Sequence, residues 1–201
     1  ATYEPPVVSR VHAADGRLLA EYAREKRIFV PIEAMPKLVI KAFLSAEDKR
    51  FYSHFGIDVF GLTRAVVSNV QALGSGRRLV GASTITQQVA KNFLLTNEVS
   101  ITRKAKEAIL ALRIERTLGK DRILELYLNQ IYLGNRSYGV AAAALNYFNK
   151  SLDDLSVAEV AYLAALPKGP SNYHPSRRRA AAVARRNWVI ARMQDNGFID
   201  E

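Results

Sequence analysis

Residues 36–56 of the chain read PKLVIKAFLSAEDKRFYSHFG. Val39, Phe43 and Ala46 recur at helical spacing in this segment. A proline near the first turn of a helix is tolerated, because its missing N–H would have no partner there. The segment therefore predicts a helix with one buried apolar face. The histidine, phenylalanine and glycine at 54–56 predict its end.

The residues before this helix follow a different period. Between 7 and 30 apolar and polar side chains alternate, and Asp15 and Gly16 stand at the expected position of a hairpin turn. Pro31 and Pro36 then interrupt regular structure. We therefore predict a β-hairpin and linker region over residues 1–36, and a helical domain over residues 37–201.

Helical patterns continue towards the C-terminus without an internal repeat or a low-complexity linker. They predict helices at about 58–73, 84–95, 102–118, 121–133, 140–148, 156–166 and 177–196. The expected N-caps are Asp58, Thr102 and a capping box of Ser156 with Glu159. The GSGRR segment at 74–78 is the best candidate for a mobile loop. The expected fold class is mainly α with a small N-terminal β-hairpin.

Composition limits the chemistry that the chain can use. Its 201 residues are 49% hydrophobic and 24% charged, so it can bury a core. It has no cysteine, which excludes disulfides, thiolate metal sites and cysteine nucleophiles. His12, His54 and His174 show no zinc-ligand spacing, although a metal held by carboxylates or substrate phosphates stays open.

The net charge of +10 predicts an anionic partner. Nucleic acid, anionic lipid and a phosphorylated substrate all satisfy this, and composition does not choose among them. No apolar run approaches the roughly 20 residues of a membrane span. The first ten residues, ATYEPPVVSR, lack the apolar core of a signal peptide.

An acidic pair stands at the end of the first predicted helix, in EDKRFYSHFG at 47–56. Taken alone, Glu47 and Asp48 are more simply a solvated pair at a helix end. The functional alternative follows from the neighbouring Phe51 and Phe55, because a carboxyl group among apolar rings gains proton affinity. Such a carboxylate can serve as a general base.

The segment GASTITQQVAKNFLL at 81–95 lacks the clean apolar stripe of a structural helix. Gln87 lies one turn before Lys91, and Gln88 one turn before Asn92, so polar groups line more than one face. Ser83 and Thr84 as an N-cap would explain only its start. The pattern indicates a polar groove at a helix N-terminus, suited to sugars and phosphate oxygens.

The segment TRKAKE at 102–107 brings basic residues next to a second glutamate. Arg103 and Lys104 precede Glu107 by four and three residues, a spacing that routine helical ion pairs also produce. Together with Lys91 and Glu47, however, the segment supplies two carboxylates and several cations. These groups suit glycosyl transfer with a charged leaving group.

The segments at 123–134 and 138–150 look mainly structural, and a basic cluster follows them. ILELYLNQIYLG at 123–134 has core spacing, with Asn129 and Tyr132 as polar exceptions that a buried hydrogen bond would explain. The arginines at 177–179, 185 and 186 are most simply a solvated helix face, and an anionic membrane surface is the functional alternative.

Taken in order, five segments resemble the successive motifs of the peptidoglycan glycosyltransferases, the family of the class A penicillin-binding proteins and the monofunctional transglycosylases. The match covers roughly residues 7–201. The segments are EDKRFYSHFGID, GASTITQQVAKN, RKAKE, ILELYLNQIYLG and AYLAALPKGPSNYHP. Five ordered motifs make the resemblance specific, whereas any one alone would be only suggestive.

The resemblance implies a two-lobed, lysozyme-like helical body with a cleft between a larger head and a smaller, membrane-embedded jaw. It implies inverting β-1,4 polymerisation of lipid II onto a growing glycan chain, with release of polyprenyl pyrophosphate. The enzyme would work at the outer, periplasmic face of the plasma membrane, with its native anchor helix outside this sequence. A transpeptidase domain can follow in the parent protein, and nucleic acid is not an expected partner.

By the same resemblance, Glu47 is the general base and Glu107 the second catalytic glutamate. Glu107 would act as an orienter of the basic residues, as a proton donor, or as the ligand of a divalent cation such as Mg or Mn with the substrate pyrophosphate; no cofactor is otherwise required. The positions that match the family's substrate-binding residues are Asp48, Phe51, His54, Ser83, Thr84, Gln87, Gln88, Lys91, Asn92, Arg103, Lys104, Asn129 and Tyr132.

Two other classes of protein compete with this interpretation. A muramidase or lytic transglycosylase would share the lysozyme-like fold, but cleaving neutral glycan requires no cluster of lysine and arginine. A non-catalytic basic module that binds nucleic acid or lipid would not need the pairing of Glu47 with Glu107. A pseudoenzyme is disfavoured because both glutamates are present.

Overall fold

The computed structural model describes residues 9–12, 18–22, 26–72, 81, 83–94 and 100–200. The predicted hairpin turn at Asp15 and Gly16 and the predicted mobile loop at 74–78 lie outside these residues. Short 3-10 turns accompany the regular elements at Ile32–Ala34, Phe51–Ser53, Leu166–Lys168 and Pro170–Tyr173. The strands are β1 (Ser9–His12), β2 (Leu18–Tyr22), β3 (Lys26–Arg27) and β4 (Ser137–Tyr138). The helices are α1 (Lys37–Glu47), α2 (Val59–Gln71), α3 (Ile85–Leu94), α4 (Ile101–Thr117), α5 (Lys120–Gln130), α6 (Val140–Phe148), α7 (Val157–Ala165) and α8 (Arg179–Asp195).

The N-terminal strands confirm the predicted hairpin, since β1 and β2 pair antiparallel. The sequence pattern did not predict the second, smaller sheet, in which β3 runs parallel to β4. The side-chain amide of Asn129 on α5 holds the segment after β3 in place. It accepts a 2.7 Å hydrogen bond from the backbone N–H of Val30 and donates a 2.8 Å hydrogen bond to the carbonyl of Val30. The N-terminal region is thereby attached to the helical body.

Helix α1 lies at the centre of the fold, because it packs against both α7 and α8. Its core face buries Val39, Ala42 and Phe43 almost completely. The ring of Phe43 meets that of Tyr127 on α5 edge to face, with centroids 6.3 Å apart. A second group of contacts joins α3 to α4 and α5. Since α1 ends at Glu47, this packing fixes the position of that carboxylate.

The helix caps follow local sequence with one correction. The side chain of Asp58 accepts from the N–H of Gly61, and Ser156 with Glu159 forms the predicted capping box. The N-cap of helix α4, however, lies two residues earlier than expected, because Ser100 and not Thr102 accepts from the N–H of Arg103. Helix α5 also ends before its predicted limit, since Ile131 already has an extended backbone, with φ −61° and ψ 131°.

Helix α2 differs from the others because it buries only Ala65. Its exposed apolar side chains include Phe60, which is 73% exposed, together with Val59, Leu62, Val66, Val67 and Val70. Exposed apolar surface of this extent in a folded protein marks an interaction site. No helix in the described part of the chain is long and apolar enough to span a membrane.

Candidate active site

Two adjoining cavities meet at Glu47. The larger one has a volume of about 740 Å³ and the smaller one about 210 Å³, and both are lined by Glu47, Gly81 and Ser83. The larger cavity is also lined by Ala46, Gln87, Gln88, Lys91, Glu107, Lys168, Tyr173, Ala181, Ala184, Arg185 and Trp188. The smaller one is lined by Asp48, Lys49, Arg50, Asp58, Gly61, Arg64, Ala65, Ser68 and Thr84. The cleft therefore brings both predicted catalytic glutamates to one cavity.

Glu47 is the last residue of α1, and its side chain is largely buried. Gln88 on α3 donates a 2.9 Å hydrogen bond from Nε2 to Oε2 of this carboxylate. Burial raises the pKa of Glu47, and the hydrogen bond from Gln88 and the nearby charges of Arg185 and Lys168 oppose that rise. A carboxylate with a raised pKa that still holds a hydrogen-bond donor is suited to accept a proton.

Asp48 takes part in a network of structural hydrogen bonds. Its two carboxylate oxygens each lie 3.0 Å from Nε2 of His54, and Oδ2 also accepts from the backbone N–H of Ile85 at 3.0 Å. Because Ile85 opens α3, Asp48 fixes the N-terminus of the helix that carries Gln88. The side chains of Asp48 and His54 are both buried. Their predicted role in substrate binding gains no support from this geometry beyond the contact of Asp48 with the smaller cavity.

Thr84 and Gln87 form a capping box at the start of α3. The hydroxyl of Thr84 accepts from the N–H of Gln87, and the Gln87 side chain accepts from the N–H of Thr84 at 3.0 Å. The Thr84 hydroxyl also donates to the carbonyl of Gly56. The pair therefore has a structural role, while both residues keep a place in the cavity lining.

The rest of α3 sends two polar residues to the larger cavity. Gln88 reaches Glu47, and Lys91, in the last turn, lines the cavity with its side chain exposed. Asn92 is exposed as well, but it does not line either cavity. The predicted one-turn spacing of Gln87 and Lys91 thus places both on the cleft side, whereas Asn92 faces elsewhere.

Glu107 is 3% exposed and lies among cations. Lys104 places Nζ 2.8 Å from Oε2 of Glu107 and donates a second 2.8 Å hydrogen bond to the hydroxyl of Ser83. Arg103 Nε lies 3.4 Å from Oε1, and this contact falls short of a hydrogen bond. Glu107 therefore fixes Lys104 against the cavity edge formed by Ser83.

Like His54, Asn92 and Arg103, three more predicted substrate-binding residues line neither cavity. Phe51 is fully buried in the core, with Lys120 Nζ 4.4 Å from its ring centroid. Asn129 binds the backbone of Val30, as described above. Tyr132 packs on Tyr138 with ring centroids 4.9 Å apart. The assignment of these three residues to substrate binding stays a prediction that this geometry does not support.

The cleft also contains four residues that were not among the predicted site residues. Lys168 and Tyr173 come from the AYLAALPKGPSNYHP segment, whose place among the ordered motifs could have drawn attention to them. Arg185 and Trp188 come from α8, where helical periodicity alone indicated a solvated basic face. Only the packing of α8 on α1 brings Arg185 to Glu47, with Nη2 4.0 Å from Oε1.

Within the described residues, no three histidine, aspartate or glutamate side chains converge as metal ligands. Glu107, the residue considered for a divalent cation, already has Lys104 and Arg103 against its carboxylate. Two cations beside a lone carboxylate disfavour a third, divalent one. The described residues therefore offer no set of protein ligands for a resident metal ion, and a divalent cation held with the substrate pyrophosphate stays a prediction.

Comparison with known proteins identifies the family. The family described as Transglycosylase matches residues 15–194. Penicillin-binding protein 1A of Rickettsia conorii is 56% identical over 99% of this chain, and penicillin-binding protein 1A of Escherichia coli K12 is 50% identical over 96%. The chain spans about a quarter of the length of these relatives, 25% and 22%. A crystal structure of penicillin-binding protein 1A from Haemophilus influenzae aligns with this chain at 29% identity and a TM-score of 0.54. The alignment covers all of this chain and 20% of the Haemophilus influenzae chain. With its mainly helical, lysozyme-like fold, the chain belongs to the transglycosylase family.

Proposed function

We propose that this chain polymerises lipid II into β-1,4-linked glycan strands, with inversion at the anomeric carbon and release of polyprenyl pyrophosphate. One observation carries the proposal: Glu47 and Glu107 line the same cavity in different surroundings. Glu47 is buried with a raised pKa, whereas Glu107 is covered by Lys104 and Arg103. One carboxylate is thus suited to take a proton and the other to organise positive charge.

In the proposed reaction Glu47 accepts the proton of the acceptor's 4-hydroxyl. As that oxygen forms a bond to the anomeric carbon of the growing chain, the bond from this carbon to the pyrophosphate oxygen breaks, and its electron pair leaves with the pyrophosphate. Gln88 supports this role because its amide orients the Glu47 carboxylate. An inverting displacement needs one base and no covalent intermediate on the enzyme.

The departing pyrophosphate would be stabilised by cations in the wall of the cavity and at its edge. Lys91 lines that cavity, and Lys104 reaches its edge at Ser83. Fixed positive charges lower the barrier because charge on the leaving oxygens grows as the glycosidic bond breaks. Among the three roles open for Glu107, orientation of the basic residues has the best support, since both of its oxygens lie next to cations.

A membrane surface is part of the proposal because the substrate carries a lipid. The exposed apolar face of α2 and the net charge of +10 suit the surface of an anionic bilayer. We place the enzyme at the periplasmic face of the plasma membrane. In the longer relatives, named penicillin-binding proteins, the remaining three quarters of the chain would include a transpeptidase domain.

The decisive experiment incubates the chain with fluorescent lipid II and separates the products by gel electrophoresis. A ladder that muramidase digests supports polymerisation. A hydrolase, the competing class, would instead release fragments from purified glycan strands and build no ladder. Glu47→Gln serves as the matched inactive control for both assays.

A further inference from the structure

Arg185 and Trp188 occupy the wall of the larger cavity that faces Glu47. Both lie on α8, three residues apart, and the Arg185 guanidinium carbon sits 3.9 Å from the centroid of the Trp188 ring. Arg192, one turn further on, approaches the same ring at 5.8 Å. Stacking on an aromatic face restricts a guanidinium group to one plane. Trp188 therefore holds Arg185 in a defined orientation.

That orientation directs Arg185 towards the carboxylate of Glu47. Its Nη2 atom lies 4.0 Å from Oε1, on the side opposite Gln88, which binds Oε2. The Arg185 side chain is 11% exposed and that of Glu47 13% exposed, so solvent screens the pair only partly. The Nε atom of Arg185 has no hydrogen-bond partner among the described residues. A buried cation without other strong partners acts mainly on the nearest anion.

We infer that Arg185, held by Trp188, is a positioning residue that keeps Glu47 ionised in its buried site. This inference rests on the proposed function, in which Glu47 must be a carboxylate before it can take the acceptor proton. An opposite charge at about 4 Å favours the ionised form of a carboxyl group. The burial that makes Glu47 a stronger base also favours its protonated form, and the charge of Arg185 opposes that effect.

Other charges around Glu47 act on it from different elements. The titratable groups that face it are Arg185 on α8, Lys168 in the turn after α7, Tyr127 on α5 and the adjacent Asp48. Burial and, to a smaller extent, Asp48 raise the pKa of Glu47, whereas Arg185 and Lys168 lower it. Tyr127 stays neutral, because burial and the two carboxylates raise its pKa well above the usual value. Arg185 has the larger opposing effect of the two cations.

The test is the pH profile of kcat/KM for Arg185→Met, measured with fluorescent lipid II. Loss of the cation should move the acidic limb to higher pH by about one unit, because opposite charges at this range shift a carboxyl pKa by roughly 1–3 units. At pH values below the acidic limb, the kcat/KM of Arg185→Met should therefore be about tenfold lower than that of the wild type. At higher pH the two values should agree. Arg185→Lys, which keeps the charge, should retain most of the wild-type profile.

Arg186→Met is the matched control, since it removes the same charge from the next residue, which does not line the cavity of Glu47. Its acidic limb should stay in place. A uniform loss across all pH values in Arg185→Met would overturn the inference in favour of a structural role. An increase in KM with an unmoved limb would overturn it in favour of direct substrate binding.

A measurement without turnover guards against misfolding and against failure of the proposed function. The Glu47 carboxyl can be titrated by ¹³C NMR, with its signal assigned by its absence in Glu47→Gln. Trp188→Leu frees Arg185 from its stacking partner and should raise the Glu47 pKa in the same direction as Arg185→Met. An unchanged titration in both variants overturns the inference, even if wild type makes glycan. If the wild type makes no glycan but the Glu47 titration is shifted in both variants, the proposed function is rejected and the inference about Arg185 stands.

Discussion

The amide of Gln88 donates its Nε2 hydrogen to Oε2 of Glu47 over 2.9 Å, joining the last residue of α1 to the middle of α3. The other end of the same amide lies 3.5 Å from the hydroxyl of Tyr127 on α5. One side chain thus connects the proposed base to two other helices. This contact determines which substitution at position 47 tests chemistry alone.

Glu47→Gln should abolish most activity without disturbing the fold. Glutamine keeps an oxygen that can accept the hydrogen bond from Gln88, but it cannot take a proton. We expect glycan synthesis to fall by about 10²–10⁴-fold, the range that general-base catalysis supplies. Initial rates with lipid II and a thermal unfolding curve measure the two effects. Retention of more than about a tenth of the wild-type rate would reject Glu47 as the base.

Asp48→Ala should act through stability, in contrast to Glu47→Gln. Asp48 accepts hydrogen bonds from His54 and from the N–H of Ile85, and all three groups are buried or nearly so. Removing an acceptor from buried donors costs about 1–3 kcal/mol for each unsatisfied group. Urea unfolding should therefore show a clear loss of free energy of unfolding.

The matched control for that measurement is Asp153→Ala, which removes an exposed aspartate. Its unfolding free energy should stay within about 0.5 kcal/mol of wild type, as is usual at surface positions. Equal effects of the two substitutions would mean that net charge, and not the contact with α3, explains the loss.

Binding to liposomes should depend on both charge and the apolar face of α2. With a net charge of +10, the chain should bind more strongly as the anionic lipid fraction rises, and more weakly as salt is added. Phe60→Ser should weaken binding at every salt concentration, because Phe60 is 73% exposed and apolar. Flotation assays over a salt series measure both effects. If the binding of the wild type does not change with salt concentration, apolar insertion alone holds the chain to the bilayer.

Local sequence predicted those features that depend on neighbouring residues. The capping box of Ser156 and Glu159 and the cap at Asp58 require only short-range hydrogen bonds, and both were confirmed. Thr102 was the wrong cap, because Ser100 offers an equivalent hydroxyl two residues earlier and the sequence does not rank them. Helix boundaries are decided by such small differences.

Tertiary contacts explain what the sequence could not predict. Arg185 stands in a run of arginines that looks solvated, and only the packing of α8 on α1 brings it to Glu47. Asn129 was correctly recognised as a polar exception within a core helix, but its partner Val30 lies 99 positions away. The β3 and β4 strands have two residues each, too few for an alternating pattern to reveal.

Lys91→Ala tests whether a local group of cations, as opposed to overall charge, supports departure of the pyrophosphate. Lys91 lines the cavity that also contains Glu47 and Glu107. Because charge develops on the leaving oxygens in the transition state, a fixed cation there raises kcat more than it tightens binding. We expect turnover to fall by about 10²-fold or more, comparable to the loss of one preorganised electrostatic contact.

Arg178→Ala is the matched control, since it removes one positive charge from an exposed residue at the start of α8, away from the cavity lining. It should leave turnover nearly unchanged in detergent micelles and weaken only the binding to anionic liposomes, because a surface charge acts through a screened, long-range field. Steady-state rates for both variants at matched ionic strength give the comparison. Equal loss of turnover in the two variants would assign the effect to net charge, and Lys91 would then have no specific part in stabilising the leaving group.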